Sequence, residues 1–318
     1  MVRTTLSVRS VVSVGALAVA IGIPAVALAT GTSQAQGATV INLNPQRVEY
    51  GGDVTVTGTA STPASGQRVQ LEFSPRGAAD WAPIASATTT GNGSFRIHAD
   101  VFRSGLLRVV GATTATTAKA TPLASTGASG VQPSASQPVA VAAKLDVRKA
   151  HISVLSGSPA AIRGRLLPGL AWRRILLQAR QGAGWQTVAQ AYTRRGGRFN
   201  LHYVPSNLGT EQLRVRFPGD DSSGRAFAYS GVLTVYRQSV ASWYNDGGST
   251  ACGFHATYGV ANKTLPCGTK VTFFYGGQQV TATVDDRGPF VPGRDWDFNQ
   301  NTASALGMGG VATVWSSI

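Results

Sequence analysis

The chain has 318 residues, of which 38 are glycine and only 13% are charged. That length exceeds one ordinary domain of ~100–200 residues, and the scarcity of charge and of long amphipathic periodicity excludes a helical bundle in favour of several small β units. A formal charge of +14 is a level met in nucleic-acid binders, so where the charge lies decides what it means.

At the N-terminus, Arg3 and Arg9 precede an apolar run over residues 11–29 that closes on Ala27-Leu28-Ala29. A basic start, an apolar middle and a small-residue end are the parts of a secretory signal, so residues 1–29 are expected to direct export, with cleavage there or near Ala35. A run of about nineteen residues is also long enough to stay as a membrane anchor. Gly15, Gly22 and Pro24 inside it favour removal, which leaves no membrane span, and the lack of a nearby cysteine excludes a lipid anchor on an N-terminal Cys.

Two segments then repeat one another. Val54-Thr55-Val56-Thr57-Gly58 aligns with Ala160-Ala161-Ile162-Arg163-Gly164, Trp81 with Trp185, Gly93-Ser94-Phe95 with Gly197-Arg198-Phe199, and Leu107-Arg108-Val109 with Leu213-Arg214-Val215, at offsets between 104 and 106. Such constancy indicates two copies of one module, expected at residues 38–143 and 144–237. Alternating runs at 68–73 and 212–217, set off by Gly, Pro, Asn and Ser, have the pattern of half-buried sandwich strands. Each copy resembles bacterial immunoglobulin-like modules by pattern alone, since the Cys-Trp-Cys pins of antibody domains are absent. Residues 113–135, rich in Ala, Thr, Ser and Gly, read as a long mobile loop.

The charge is uneven. Residues 144–237 hold fifteen Lys and Arg against four Asp and Glu, whereas residues 238–318 hold four basic and five acidic groups. The surplus belongs to the second module. An exported basic face meets anionic wall polymers or phospholipid headgroups before it meets DNA, so an anionic polymer is the expected partner and nucleic acid is not. A merely solvated surface is the alternative.

From residue 239 the texture changes to Val240-Ala241-Ser242-Trp243-Tyr244, Thr250-Ala251-Cys252-Gly253, Val260-Ala261-Asn262-Lys263-Thr264-Leu265-Pro266-Cys267-Gly268, Asp286-Arg287-Gly288-Pro289-Phe290 and Arg294-Asp295-Trp296-Asp297-Phe298. In order and spacing these resemble the RlpA-like double-psi β-barrel family over residues 238–318. The resemblance implies a six-stranded barrel related to expansins and to some bacterial lytic transglycosylases, exported, wall-associated and acting on peptidoglycan glycan strands. The expected fold class is therefore all-β: two immunoglobulin-like sandwiches followed by a six-stranded double-psi β-barrel. In such an exported chain the only cysteines, Cys252 and Cys267, read as a disulfide, because a metal site needs three or four ligands; a reduced buried pair is the alternative. The four histidines are scattered at 98, 151, 202 and 255, and no phosphate loop or serine triad competes, so neither metal nor cofactor is expected.

Cleavage of the implied kind needs a single carboxyl that protonates the glycosidic oxygen and then takes the proton of the sugar's own 6-hydroxyl; simple hydrolysis wants two flanking carboxylates. Residues 270–274 and 278–284 should form a hairpin across Gly276-Gly277, with Val280, Ala282 and Val284 on one face. Asp286 falls on that apolar face, where desolvation raises a carboxyl pKa, while Asp285 points outward as a solvated rim charge. The family's characteristic aspartate coincides with Asp286, the candidate general acid and base. A carboxylate that merely fixes a turn is the bland alternative. Asn299 should cap, and Gly307 end, a helix over residues 300–306, with Asp297 beside its start for placement or ligand contact.

Tyr244 and Trp296 are the expected groove rings among Trp243, Tyr244, Phe254, Tyr258 and Trp296. Arg287 and Arg294 are expected to hold a sugar carboxylate or to pair with the neighbouring aspartates. The family's transglycosylase-like members often carry a glutamate where this chain has Phe254 and a histidine where it has Asn262, which is kept among the ligand contacts. His255, beside the first gap, points elsewhere by strand alternation. With those groups lost, the runner-up is a non-catalytic, expansin-like glycan-binding or wall-loosening barrel, and a third reading is a barrel that engages another protein.

Overall fold

The computed structural model describes residues 38–111, 131–245 and 247–318. The expected leader and most of the expected loop at 113–135 lie outside the described residues.

The first unit comprises β1 (Val40–Asn44), β2 (Arg47–Glu49), β3 (Gly52–Thr59), β4 (Arg68–Pro75), β5 (Ala82–Thr88), β6 (Ser94–Val101), β7 (Gly105–Gly111) and β8 (Gln137–Ala142). These form two sheets, β1-β3-β6 and β2-β8-β7-β4-β5. Alternation supplies the inner faces: in β6, Phe95, Ile97, Ala99 and Val101 are buried while Arg96, His98 and Asp100 are exposed. Against them pack Val54, Val56, Leu71, Leu107 and Val109.

The second unit comprises β9 (Lys144–Val147), β10 (Ala150–Leu155), β11 (Ala160–Leu167), β12 (Arg174–Gln181), β13 (Gly184–Tyr192), β14 (Arg198–Tyr203), β15 (Gly209–Phe217) and β16 (Ala226–Tyr244). Its sheets run β9-β11-β14 and β10-β16-β15-β12-β13, the order of the first unit strand for strand. The repeat seen at four sequence landmarks therefore extends to the whole topology. Ile162, Ile175, Leu177, Leu201, Val215 and Leu233 fill this second core.

Strand β16 is 19 residues long and serves two units. Its first half pairs with β15, whereas from Arg237 it pairs with the last strand of the chain. The expected division at 237/238 thus falls inside an unbroken strand, and no linker intervenes. Tyr236 at the crossing is fully buried, lies 6.1 Å from the Phe274 ring and 6.0 Å from Trp315, and donates its hydroxyl to Gln279 Oε1 at 3.1 Å.

The remaining elements are β17 (Gly259–Ala261), β18 (Lys270–Tyr275), β19 (Gln278–Asp286), β20 (Trp296–Asn299), α1 (Gln300–Leu306) and β21 (Ala312–Ser316). Pairing runs β16-β20-β17-β19-β18-β21 and returns to β16, a closed six-stranded ring. The β16–β20 and β17–β19 pairings are parallel. Closure leaves no open sheet edge, and the interior fills with Val260, Phe273, Val284, Trp296, Phe298 and Val314. The β18–β19 hairpin turns on Gly276 and Gly277, both left-handed at φ 57° and 86°, as a tight primed turn requires. The Asn299 side chain caps α1 by accepting from Thr302 N–H, and left-handed Gly307 ends it.

Candidate active site

The parallel pairing of β17 with β19 matches Val260 to Val284 and then Ala261 to Asp286, so Asp285 is an extra, bulged residue. A bulge resets strand alternation. Val280, Ala282 and Val284 are buried as the pattern demands, but the next buried side chain is Asp285, only 1% exposed, and Asp286 is half-buried. The expectation for the two carboxyls is corrected: the sealed one is Asp285, and Asp286 has moved to the outer face.

Asp285 Oδ2 accepts the Ala256 N–H at 2.8 Å, and its main-chain oxygen accepts from Cys252 at 3.3 Å. A Cβ added at Gly259 would collide with Asp285 Oδ2, so only glycine lets the strand pass the carboxyl. Desolvation pushes the Asp285 pKa up; the Ala256 N–H pulls part of the way back, and the Asp286 charge adds to the rise. A carboxyl raised in the folded state contributes stability that is present below its unfolded pKa, about 3.9, and is lost as pH climbs through the folded value. Asp285→Asn should therefore gain on the native protein in melting temperature between pH 3.5 and pH 7. A constant difference across that range would contradict the buried, ionisable carboxyl.

On the outer face Ala261 is matched to Asp286 on one side and to Asp297 on the other, and Asp297 is matched in turn to Ser242. Four adjacent strands thus present one row: Asp286, Ala261, Asp297, Ser242. The two acids are two strand spacings apart, roughly 9–10 Å between backbones. Between them Ala261 is only 2% exposed. Asp286 Oδ1 accepts the N–H groups of Ala251 and Arg287, both at 2.8 Å, while Oδ2 has no hydrogen bond among the described residues. Asp297 Oδ1 accepts the Ser242 hydroxyl at 2.7 Å.

Residues 250–258 lie against this row, strapped at Ala251 to Asp286 and at Ala256 to Asp285. They carry Phe254 and Tyr258, 40% and 44% exposed. Cys252 is joined to Cys267 as the sequence predicts. Closing a loop of this length is worth about 3 kcal/mol, so replacing both cysteines with serine should lower the denaturant stability of the barrel by that amount. Undiminished stability would show that the chain entropy is limited by other means.

Other expected ligand contacts have different roles. Trp296 is 1% exposed, with its ring edge-on to Phe273 at 5.0 Å, so it belongs to the core and not to the groove. Arg287 donates to the main-chain oxygens of Asn262 and Leu265, at 3.2 and 3.0 Å, and to Cys267 Sγ at 3.1 Å, and so fastens the disulfide turn. The Asn262 side chain accepts the N–H groups of Thr264 and Leu265, folding an Asx turn rather than facing a ligand. Arg294 is half-buried, and its guanidinium has no hydrogen bond or ion pair among the described residues. Tyr244 ends β16, half-buried, two residues beyond Ser242. Phe290, 81% exposed just after the Asp286 turn, is a ring that sequence reasoning passed over. Its position in a Gly-Pro-Phe-Val-Pro-Gly turn, where no strand could bury it, was the available signal. Among the described residues no group of three His, Cys, Asp or Glu could hold a metal ion, and no helix is long and apolar enough to cross a membrane.

The ring, its parallel pairings and the acid row define the C-terminal unit as a barrel with an outer-face carboxyl site. Residues 237–315 match the family described as lytic transglycolase. A Synechocystis protein named probable endolytic peptidoglycan transglycosylase RlpA is 34% identical over 111 residues, 32% of this chain and 35% of the relative. Endolytic peptidoglycan transglycosylase RlpA of Campylobacter jejuni is 40% identical over 120 residues, 33% of this chain and 40% of the relative. The C-terminal unit of this chain is thus an RlpA-like double-psi β-barrel. The matched part of the chain spans well under half the length of either relative. Among solved structures, the chain is similar to the D0-D1 domain of intimin (TM-score 0.22, 10% identity, 59% of this chain and 96% of that one) and to the human OSCAR ligand-binding domain (0.23, 16%, 63% and 98%).

Proposed function

We propose that this is an exported wall protein whose barrel cuts peptidoglycan glycan strands without water, with Asp286 as acid and then base. Its working parts are the units at 38–143, 144–237 and 238–318. The observation that carries this reading is the Asp286 carboxyl: half-buried, one oxygen held by two backbone donors, the other free to meet a ligand. Fixing Oδ1 limits how the carboxyl can turn and leaves Oδ2 without a protein donor among the described residues, which suits a proton-transfer group. The protonated carboxyl gives its proton to the glycosidic oxygen as the C–O bond breaks. The resulting carboxylate then takes the proton of the 6-hydroxyl as that oxygen bonds to the anomeric carbon. One strand leaves with a hydroxyl, the other with an anhydro-muramyl end, and the acid is regenerated. Asp297, held by Ser242, and Arg294 line the approach, and Phe254, Tyr258 and Phe290 offer rings to sugar faces.

Phe254 and the inward-folded Asn262 favour a second reading, a barrel that binds the strand without cutting it. Incubating the full chain with peptide-free glycan strands and weighing the products separates the two. Anhydro-muramyl ends support cleavage, and retention on wall sacculi with no new ends supports binding. New reducing ends without the anhydro form would transfer the chemistry to a hydrolytic pair, Asp286 and Asp297.

A further inference from the structure

We infer that the outer face of the second sandwich is a binding site for an acidic glycan strand, centred on Arg214. The two sandwiches share a strand order, so equivalent positions compare directly. In the first, Glu72 on β4 is matched to Arg108 on β7. Arg108 lies over the Trp81 ring at 4.1 Å and meets the Glu72 carboxylate at 2.8 Å. That charge is cancelled. In the second, Gln178 on β12 is matched to Arg214 on β15, and Arg214 lies over the Trp185 ring at 4.3 Å. Arg214 Nε donates to Gln178 Oε1 at 2.9 Å, so the motif keeps its shape while a neutral amide replaces the carboxylate. The positive charge is left standing.

The second copy also adds rings. Strand β16 sets Tyr229 opposite Arg214 and Phe227 opposite Arg216. Phe227 is 64% exposed and Tyr229 50% exposed, with centroids 6.2 Å apart, and Tyr229 lies 5.9 Å from Trp185. Exposed Arg180 and Arg216 adjoin them, and no ion pair among the described residues engages either. The platform is preorganised, since Gln178 Nε2 also donates to Thr187 Oγ1 at 3.3 Å and Arg180 donates to Gln212 Oε1 at 3.5 Å.

Clustered exposed rings on a polar sheet mark an interaction surface. Ring faces suit the C–H faces of pyranoses, guanidinium edges suit carboxylates and hydroxyls, and the unbalanced charge asks for an acidic ligand. A glycan strand carrying carboxylates meets all three demands. Position supports it as well. The strand that holds Phe227 and Tyr229 runs unbroken to Ser242 in the acid row, thirteen residues past Tyr229 and roughly 40 Å away at ~3.3 Å per residue. A polymer lying on the platform is thereby kept at a fixed reach from the barrel. The choice of peptidoglycan as that polymer rests on the reading of the barrel given above.

Binding of the full chain to peptide-free peptidoglycan strands, neutral N-acetylglucosamine oligomers and inorganic polyphosphate tests the site. The double substitution Phe227→Ala with Tyr229→Ala should weaken binding of both glycans about tenfold or more, the usual cost of truncating aromatic anchors. Arg214→Gln should weaken acidic strands by about tenfold and leave neutral oligomers nearly unchanged. Unaltered melting temperatures show that the variants fold; should Arg214→Gln not fold, Arg216→Gln carries the same comparison. Strand affinity unchanged in the ring variant overturns the site. So does polyphosphate bound as tightly as the strands and indifferent to the rings, which would describe a plain polyanion surface. Ring-dependent strand binding by a protein that releases no anhydro-muramyl ends would overturn the barrel's proposed activity and leave the platform standing.

Discussion

Asp286→Asn is expected to lower the release of anhydro-muramyl ends by about 10²–10⁴-fold, the range for loss of a positioned proton-transfer group. The substitution is informative because it removes the proton and little else. An asparagine oxygen still accepts the N–H groups of Ala251 and Arg287, so the turn and the strap over residues 250–258 keep their anchor. The melting temperature should therefore stay near the native value, and binding to sacculi should persist. Asp286→Ala differs in kind: it also strands two backbone donors, at about 1–3 kcal/mol for each that is shut off from water. Comparing the two variants separates chemistry from scaffolding. An asparagine variant with more than a tenth of native turnover would remove Asp286 from the mechanism.

Trp296→Ala is expected to cost about 3–5 kcal/mol, a large part of the ~5–15 kcal/mol that holds a typical domain. The ring is 1% exposed, packs edge-on to Phe273 and sits on a strand matched to β16 on one side and β17 on the other. Its removal opens a cavity that a closed ring of strands cannot collapse to fill. Denaturant unfolding of the barrel should show the loss directly. Near-native stability coupled with weakened glycan binding would return Trp296 to the groove and contradict its packing against Phe273.

The surroundings of both residues are set by strand pairings that local sequence does not encode. Alternation along β19 places Asp286 on the apolar face, and the bulge at Asp285 reverses the pair. The bulge arises where β17 meets β19, and Gly259, whose missing Cβ makes room for the Asp285 carboxyl, is its local mark. Trp296 sits in an Arg-Asp-Trp-Asp-Phe run whose acids suggest a wet surface, yet β20 is flanked on both sides inside the ring. Arg287 and Asn262 likewise carry ligand-like chemistry, which the turn around Cys267 absorbs. Phe290 was legible only through the Gly and Pro around it, which keep it out of any strand.

The chain by itself determined whatever depends on near neighbours: the period-two strands, the Gly276-Gly277 hairpin, the Asn299 and Gly307 ends of α1, the repeated sandwich, the disulfide and the barrel family. Each is encoded in backbone preference or spacing over a few residues, or in a pattern repeated along the chain. Tertiary structure alone decided that β16 would run through two units, that Asp285 would be sealed and Asp286 left at the surface, and that Gln178, where the first copy has Glu72, would be the residue beside Arg214. The physical reason is that burial and charge compensation are set by strands distant in sequence, and a one-residue change of register between such strands exchanges the inside for the outside.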